Sequence, residues 1–215
     1  MIRILLVDDH AIVLTGYRRL LDAEPGMLVV GEAARADEAN AVVLRTEPDV
    51  ALVDLSLKGS SGFEAIRGML ARRPQLKVLV LSMHEEAGHI TQALRCGALG
   101  YLSKHCEPDD VIDAIRRIAT GQRVFSPEIA QILACQSAGG DGAFSHLTPR
   151  EFEVLRMLVQ GESAGVIAIA MQLSPKTVLN YLSLIRQKLD VDNYFKLLHL
   201  AARHGLVTLH QSLNV

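Results

Sequence analysis

Short apolar runs alternate with amphipathic stretches over residues 1–121, and that alternation leaves few folds open. Residues 3–7 (RILLV), 28–31 (LVVG), 50–53 (VALV), 78–81 (VLVL) and 99–102 (LGYL) are too short for helices and are apolar almost throughout. A strand that is apolar on both faces must be covered on both faces, which is the condition of a parallel sheet. Helical periodicity fills the gaps at 11–23, 36–46, 62–72, 86–96 and 108–120, with Pro25-Gly26 and Pro48 closing the first two stretches. Five strands alternating with five helices predict an α/β doubly wound, five-stranded parallel sheet of order 2-1-3-4-5. Ligand sites in such sheets lie at the carboxyl ends of the strands.

After Gly121 the pattern changes. Residues 127–136 predict one helix, and residues 137–143 (SAGGDGA) read as a glycine-rich, flexible tether. From Leu147 onward the periodicity is helical, at 149–160, 163–172, 175–189 and 194–204. Thr148 before Pro149, with Glu151 in the first turn, and Ser174 before Pro175 supply cap-then-proline starts. The expected organisation is an α/β domain at 1–121, a linker with one helix at 122–146, and an all-α domain at 147–215.

Composition serves mainly to exclude. The chain is 49% hydrophobic and 21% charged, as folded chains are and disordered ones are not. Apolar stretches such as 166–171 fall far short of the roughly 20 residues that span a bilayer, so no membrane partner is expected. Residues 1–4 run into a strand rather than a signal peptide. Cys96, Cys106 and Cys135 are widely spaced and lack a CxxC, which favours reduced thiols and a cytoplasmic location over disulfides or a zinc finger. Residues 1–121 hold 14 Lys and Arg against 17 Asp and Glu, net −3, whereas residues 147–215 hold 7 against 5, net +2. The acidic part suits a cation, and the basic part mildly suits phosphates.

On the expected sheet, Asp8 and Asp9 follow the first strand, Asp54 the third, Ser82 ends the fourth, and Lys104 lies just past the fifth. Three carboxylates, a hydroxyl and an ammonium therefore converge on one rim. Crowded carboxylates raise one another's pKa unless a cation neutralises them. An all-oxygen site with room for water suits Mg2+. A single Asp after a strand is commonly a helix cap, and a single Lys there is commonly solvated; five polar residues on successive strand ends are poorly explained that way.

The segments LLVDDH (5–10), LVDLSLKGSSG (52–62), LSMH (81–84) and GALGYLSK (97–104) resemble the motifs of two-component receiver domains, whose fold is the flavodoxin/CheY-like sheet. The resemblance implies that Asp54 accepts a phosphoryl group from a sensor histidine kinase as an acyl phosphate. It implies that Asp9, Asp54 and the backbone carbonyl of Ser56 hold Mg2+, with Asp8 acting through water or directly. Lys104 would pair with the phosphate, the Ser82 hydroxyl would donate to it, and Tyr101 would change rotamer as Ser82 moves. One departure stands beside the acceptor: the family's usual Met-Pro is Leu57-Lys58 here, which frees the loop and adds a positive charge, so an altered phosphate lifetime is expected. On this reading the chain is no enzyme beyond its own phosphoryl transfer and dephosphorylation.

In the helical part, LTPRE (147–151), SPKTV (174–178) and IRQKL (185–189) resemble the LuxR-type helix-turn-helix. The whole chain thus resembles a NarL/FixJ-type response regulator, and SPKTV followed by NY, with LAARHGLV at 200–207, is similar to the GacA/UvrY-like branch. Independently of that, Val178, Leu182, Ile185 and Leu189 form an apolar stripe on the third helix. The opposite face carries Lys176, Leu179, Asn180, Ser183, Arg186 and Gln187. A recognition helix would lay that face in a major groove of double-stranded DNA. Asn180 would read adenine, Ser183 a base or phosphate, and Leu179 a thymine methyl; Lys176, Thr177, Arg186 and Lys188 would contact the backbone. The family's common Lys and His at 179 and 181 are Leu179 and Tyr181, and its frequent Lys at 165 is Gly165. Fewer cations predict weaker non-specific affinity and a shallower salt dependence. The family also implies a receiver that masks the third helix until phosphorylation, homodimers when phosphorylated, and RNA polymerase as a further partner.

Two other functions compete. A haloacid-dehalogenase-like Mg2+ hydrolase would want a DxD arrangement on the first strand and a cap insertion, and neither is present. An output domain that binds protein rather than DNA is motivated by Leu179 and Leu184. The eight histidines show no ligand spacing such as HExxH, and His10 and His84 flank the acidic rim in what reads as a surface or capping role.

Overall fold

The computed structural model describes residues 1–57, 59–139, 144, 146–204 and 206–207. The first part alternates β1 (Ile2–Val7), α1 (Ala11–Asp22), β2 (Met27–Ala33), α2 (Ala36–Thr46) and β3 (Val50–Val53). A small antiparallel hairpin follows, β4 (Ser56–Leu57) with β5 (Ser60–Ser61), and then α3 (Gly62–Arg72), β6 (Lys77–Ser82), α4 (Ala87–Arg95), β7 (Gly100–Ser103), α5 (Pro108–Ala119) and β8 (Val124–Phe125). The remaining elements are helices: α6 (Pro127–Gly139), α7 (Pro149–Val159), α8 (Ala164–Ala170), α9 (Pro175–Lys188) and α10 (Tyr194–Arg203).

The main sheet is parallel, in the order β2-β1-β3-β6-β7-β8. Its first five members reproduce the expected 2-1-3-4-5 order, and β8 adds a sixth strand at the edge. Two residues carry no periodicity to read, and it is the turn at Gly121, with φ +86°, that brings them alongside β7. The expected tether also begins later than its composition suggests. Ser137 and Ala138 have no helix-breaking feature, so α6 runs on to Gly139; residues 140–143 lie outside the described residues.

Each sheet face has its own core. Ile4, Leu6, Leu52, Leu79 and Leu81 pack under α1 and α5 with Leu21, Val111, Ile115 and Ile118. On the other face, Leu5, Val7, Val53, Val78 and Val80 pack against α2, α3 and α4. This second core continues into the helical part through a buried aromatic seam. Phe152 of α7 meets Phe63 of α3 edge-on at 5.9 Å and His89 of α4 at 5.1 Å. Gln92 of α4 seals the seam by donating to the Leu147 carbonyl at 2.8 Å.

Candidate functional site: an acidic rim facing the output helices

The backbone ladder places the polar strand ends. Asp54 N donates to the Val7 carbonyl (2.8 Å) and Lys104 N to the Ser82 carbonyl (2.9 Å), which holds successive strand ends level. From these ends Lys104 Nζ reaches Asp8 Oδ2 at 2.6 Å and Asp54 Oδ2 at 2.7 Å. Both carboxylates are buried, with side chains 8% and 5% exposed. Burial alone would lower the Lys104 pKa, but the hydrogen bonds to Asp54 and Asp8 outweigh it and hold the ammonium above its ordinary value. Asp9 joins the group, and Asp8, Asp9, His10 and Asp54 offer donor atoms within 4.8 Å of one another. His10, read from sequence as a surface or capping residue, touches both neighbouring carboxylates: its Nδ1 lies 3.0 Å from Asp8 Oδ1 and 2.8 Å from Asp9 Oδ1.

The loop after Asp54 is shaped by its glycines. A Cβ on Gly62 would lie 2.3 Å from the Asp54 carbonyl oxygen and 2.5 Å from the Leu55 Cα, so only glycine lets α3 start beside Asp54. Gly59, at φ +66°, turns the hairpin. Ser56 N donates to Asp54 Oδ1 at 3.3 Å. Lys58 lies outside the described residues.

Ser82 is fully buried at the end of β6, and its hydroxyl accepts from His84 N at 3.2 Å. Tyr101 is also fully buried, and its hydroxyl donates to the His84 carbonyl. Ser56 Oγ lies 3.0 Å from His84 Nε2. His84 thus links three of the sequence-predicted rim residues. Its place beside the rim follows from sequence position, but this link runs through its backbone as well as its ring and has no sequence signal.

The rim opens into a cavity of about 380 Å3 whose near wall is Asp9, His10, Ser56 and Leu57 and whose far wall includes Arg150, Arg156, Met157 and Met171. Across it, Arg150 pairs with Glu64 of α3, and the Glu64 carboxylate together with Tyr181 of α9 raises the Arg150 pKa. The third helix of the output part is α9, capped by Ser174, whose Oγ accepts from Thr177 N at 3.1 Å. Val178 and Ile185 are fully buried, while Lys176, Leu179, Asn180, Ser183, Arg186 and Gln187 are all exposed on the other side. Lys188 is exposed along its stem, but its ammonium pairs at 2.6 Å with the buried Glu151 carboxylate of α7. Thr177 Oγ1 lies 2.8 Å from Ser174 Oγ, within the cap.

The side of α9 opposite its apolar stripe is uncovered in this structure. The face carrying Asn180 and Arg186 is open, and the α/β part meets chiefly α7 and the segment before it, with Gly59 close to Gln172 in the turn that precedes α9. The physical reason is the position of the apolar seam: Phe152 lies near the start of α7 and is drawn into the pocket between Phe63 and His89. Gly88 shows how close that approach is, since a Cβ there would lie 3.1 Å from the Phe152 ring.

Comparison with known proteins finds two family matches along the chain. Residues 4–116 match the response regulator receiver domain family, and residues 145–201 match the bacterial regulatory proteins of the luxR family. The chain is 40% identical over 210 residues to the transcriptional activator protein ExaE of Pseudomonas putida, covering 96% of this chain and 98% of that one. It is 37% identical over 209 residues to the response regulator UvrY of Escherichia coli K12, covering 96% of each. Among solved structures it is similar to RcsB of Salmonella enterica serovar Typhimurium bound to promoter rprA in the presence of phosphomimetic BeF3-. That match has a TM-score of 0.67 and 28% identity, and covers 93% of this chain and 97% of that one.

Proposed function

The chain belongs to the response regulators that join a receiver to a LuxR-family output domain, and from that premise we propose that phosphorylation of Asp54 switches its reading of double-stranded DNA. The observation that carries this reading is the Lys104 ammonium between Asp8 and Asp54, on a rim whose cavity is bordered on its far side by the output helices. In the transfer, an Asp54 oxygen attacks phosphorus, the O–P bond forms, and the P–N bond to the imidazole of a sensor histidine kinase breaks. Lys104 neutralises charge on the transferred oxygens, and the Ser82 hydroxyl gives up His84 N to donate to one of them. Tyr101 follows Ser82 because both are held by the His84 backbone.

The donor chemistry of the rim fits Mg2+: the carboxylates of Asp8, Asp9 and Asp54 lie within reach of one ion. Asp9, Asp54 and the Ser56 carbonyl would hold it, with Asp8 acting directly or through water, and when bound it supplies charge neutralisation at the phosphoryl group. A phosphoryl group on Asp54 adds charge beside Asp9 and Ser56, which line the cavity that α7 and the Arg150–Glu64 pair border, so it biases the packing of the two parts. The exposed face of α9 reads the groove through Asn180 and Ser183, with Leu179 on a thymine methyl, Gln187 at the far end of the helix, and Lys176, Thr177 and Arg186 on phosphates. Lys188 contributes to the backbone only by leaving Glu151. Two copies dimerise on phosphorylation, because a domain of charge +2 gains most from two half-sites; RNA polymerase is the partner through which such a dimer acts, in the cytoplasm.

Leu179 and Leu184, 58% and 44% exposed, favour one second reading, a phosphorylation-controlled surface for a protein. The test combines both ends. A small-molecule phosphodonor with Mg2+ should label the parent and not Asp54→Asn. Arg186→Ala should weaken all duplexes, while Asn180→Ala should relax preference at one base position. Unchanged duplex binding in both helix variants would favour the protein-binding reading.

A further inference from the structure

The loop after β6 and the first turn of α4 carry HEEAGH at residues 84–89, and three of its side chains meet. His84 Nδ1 lies 3.6 Å, and His89 Nδ1 3.2 Å, from Glu86 Oε2. His89 is 2% exposed, and neither of its ring nitrogens nor Glu86 Oε2 makes a well-aligned hydrogen bond. Buried polar atoms in that condition are costly and call for a partner. A tetrahedral ion bound at about 2.0–2.1 Å sets its donors about 3.3 Å apart, and the two observed separations lie on either side of that value.

We propose that His84, Glu86 and His89 form a site for Zn2+ or a similar borderline transition-metal ion, separate from the Mg2+-type rim. Two imidazoles and one carboxylate suit such an ion and not Mg2+. The partly exposed side of His84 and Glu86 gives the ion an entry path and leaves its fourth position to water. His84 would bind through Nδ1 while its Nε2 keeps Ser56 Oγ, the outer partner that metal-bound imidazoles usually have. The two rings are stacked 4.4 Å apart and only 5° from parallel, so both lone pairs reach one ion only when His84, the more accessible, tilts out of the stack. The site ties together groups that the phosphoryl switch uses, since His84 holds Ser82 and Tyr101 and His89 packs on Phe152. No HExxH spacing announces it. The donors stand at i, i+2 and i+5, which converge only because the loop turns into α4 between Glu86 and Ala87.

The experiment is a Co2+ titration of the full chain, stripped of metal and held in saturating Mg2+ to occupy the rim. One equivalent should produce the strong visible absorption of four-coordinate Co2+, displaced by Zn2+. His84→Gln and Glu86→Gln, both at partly exposed positions, should each weaken it at least about tenfold, whereas Asp54→Asn should leave it intact. No visible band in the parent overturns the proposal, as does a band that survives both loop variants or is lost in Asp54→Asn.

Discussion

Replacing Lys104 by Met keeps most of the apolar stem and removes the cation that, among the described residues, Asp8 and Asp54 share. The ammonium lies 2.6 and 2.7 Å from the two carboxylates, and the three side chains are 13%, 8% and 5% exposed. At an effective dielectric of about 20, each contact corresponds to roughly 6 kcal/mol of attraction before desolvation is charged against it. Removing one partner of a buried pair costs about 3–5 kcal/mol, because the remaining charge is stranded. The rim opens on a cavity and water can reach it, so about 3 kcal/mol is expected in chelator. For a domain that loses about 2 kcal/mol per molar urea, the receiver midpoint should fall by about 1.5 M. A divalent cation should then repair more of the variant than of the parent, since it enters a site that no longer holds an ammonium. At ten times its Kd it adds about 1.4 kcal/mol by mass action. Urea unfolding of parent and K104M in EDTA and in Mg2+ reads all four values. A loss under 1 kcal/mol in EDTA, or a Mg2+ effect no larger in the variant than in the parent, would refute the electrostatic account of the rim.

Other expected outcomes test other parts of the molecule. Gly165→Lys places a cation on α8 where a Cβ meets only Ser163 Oγ, at 3.8 Å; it should raise non-specific DNA affinity, steepen the salt slope by about one phosphate contact, and stabilise α8 by about 0.5–1 kcal/mol. An unchanged slope in anisotropy titrations would remove α8 from the interface. Gly88→Leu drives a side chain into the Phe152 ring and should open the interdomain seam, read as a larger radius of gyration by small-angle scattering; an unchanged radius would mean that the seam does not hold the two parts together. Burial raises the Glu151 pKa, but Lys188 and the Thr148 backbone and hydroxyl lower it more, so the folded value lies below 4.5. Its contribution is therefore complete above the unfolded value and is lost as pH falls through the folded one. Glu151→Gln should cost about 1.5 kcal/mol at pH 7, with the difference from the parent shrinking as pH falls below the unfolded value and disappearing once the folded carboxylate is protonated; a difference as large in strong acid as at pH 7 would contradict the pairing.

The strand ends were legible because the period of the apolar runs fixes where each strand stops, and doubly wound topology then fixes which ends are neighbours. Asp8, Asp54, Ser82 and Lys104 needed nothing more. The stripe of Val178 and Ile185 was legible for the same reason, at a helical period. What escaped depends on contacts between elements distant in sequence. Phe152 reads as ordinary core in a short helix, and nothing in its neighbourhood announces Phe63, 89 residues earlier, or the histidine at 89 as its packing partners. Whether the receiver covers α9 was not legible either, because that depends on the seam, which makes α7 the receiver's main contact. Glu151 looked like a first-turn cap and is one, yet it also holds Lys188, a pairing that sequence separation hid. The β8 strand and the last turn of α6 escaped because two residues, or a Ser-Ala pair, carry too little pattern to outweigh neighbouring glycines.

The most direct test of the account is selection of genomic DNA fragments by the purified chain in Mg2+, with and without beryllium fluoride as the phosphoryl mimic. Paired half-sites enriched with the mimic, and lost in both Asp54→Asn and Arg186→Ala, are the predicted result. Equal enrichment with and without the mimic would contradict control by Asp54, and no enrichment from protein that demonstrably binds the mimic would contradict DNA reading by α9.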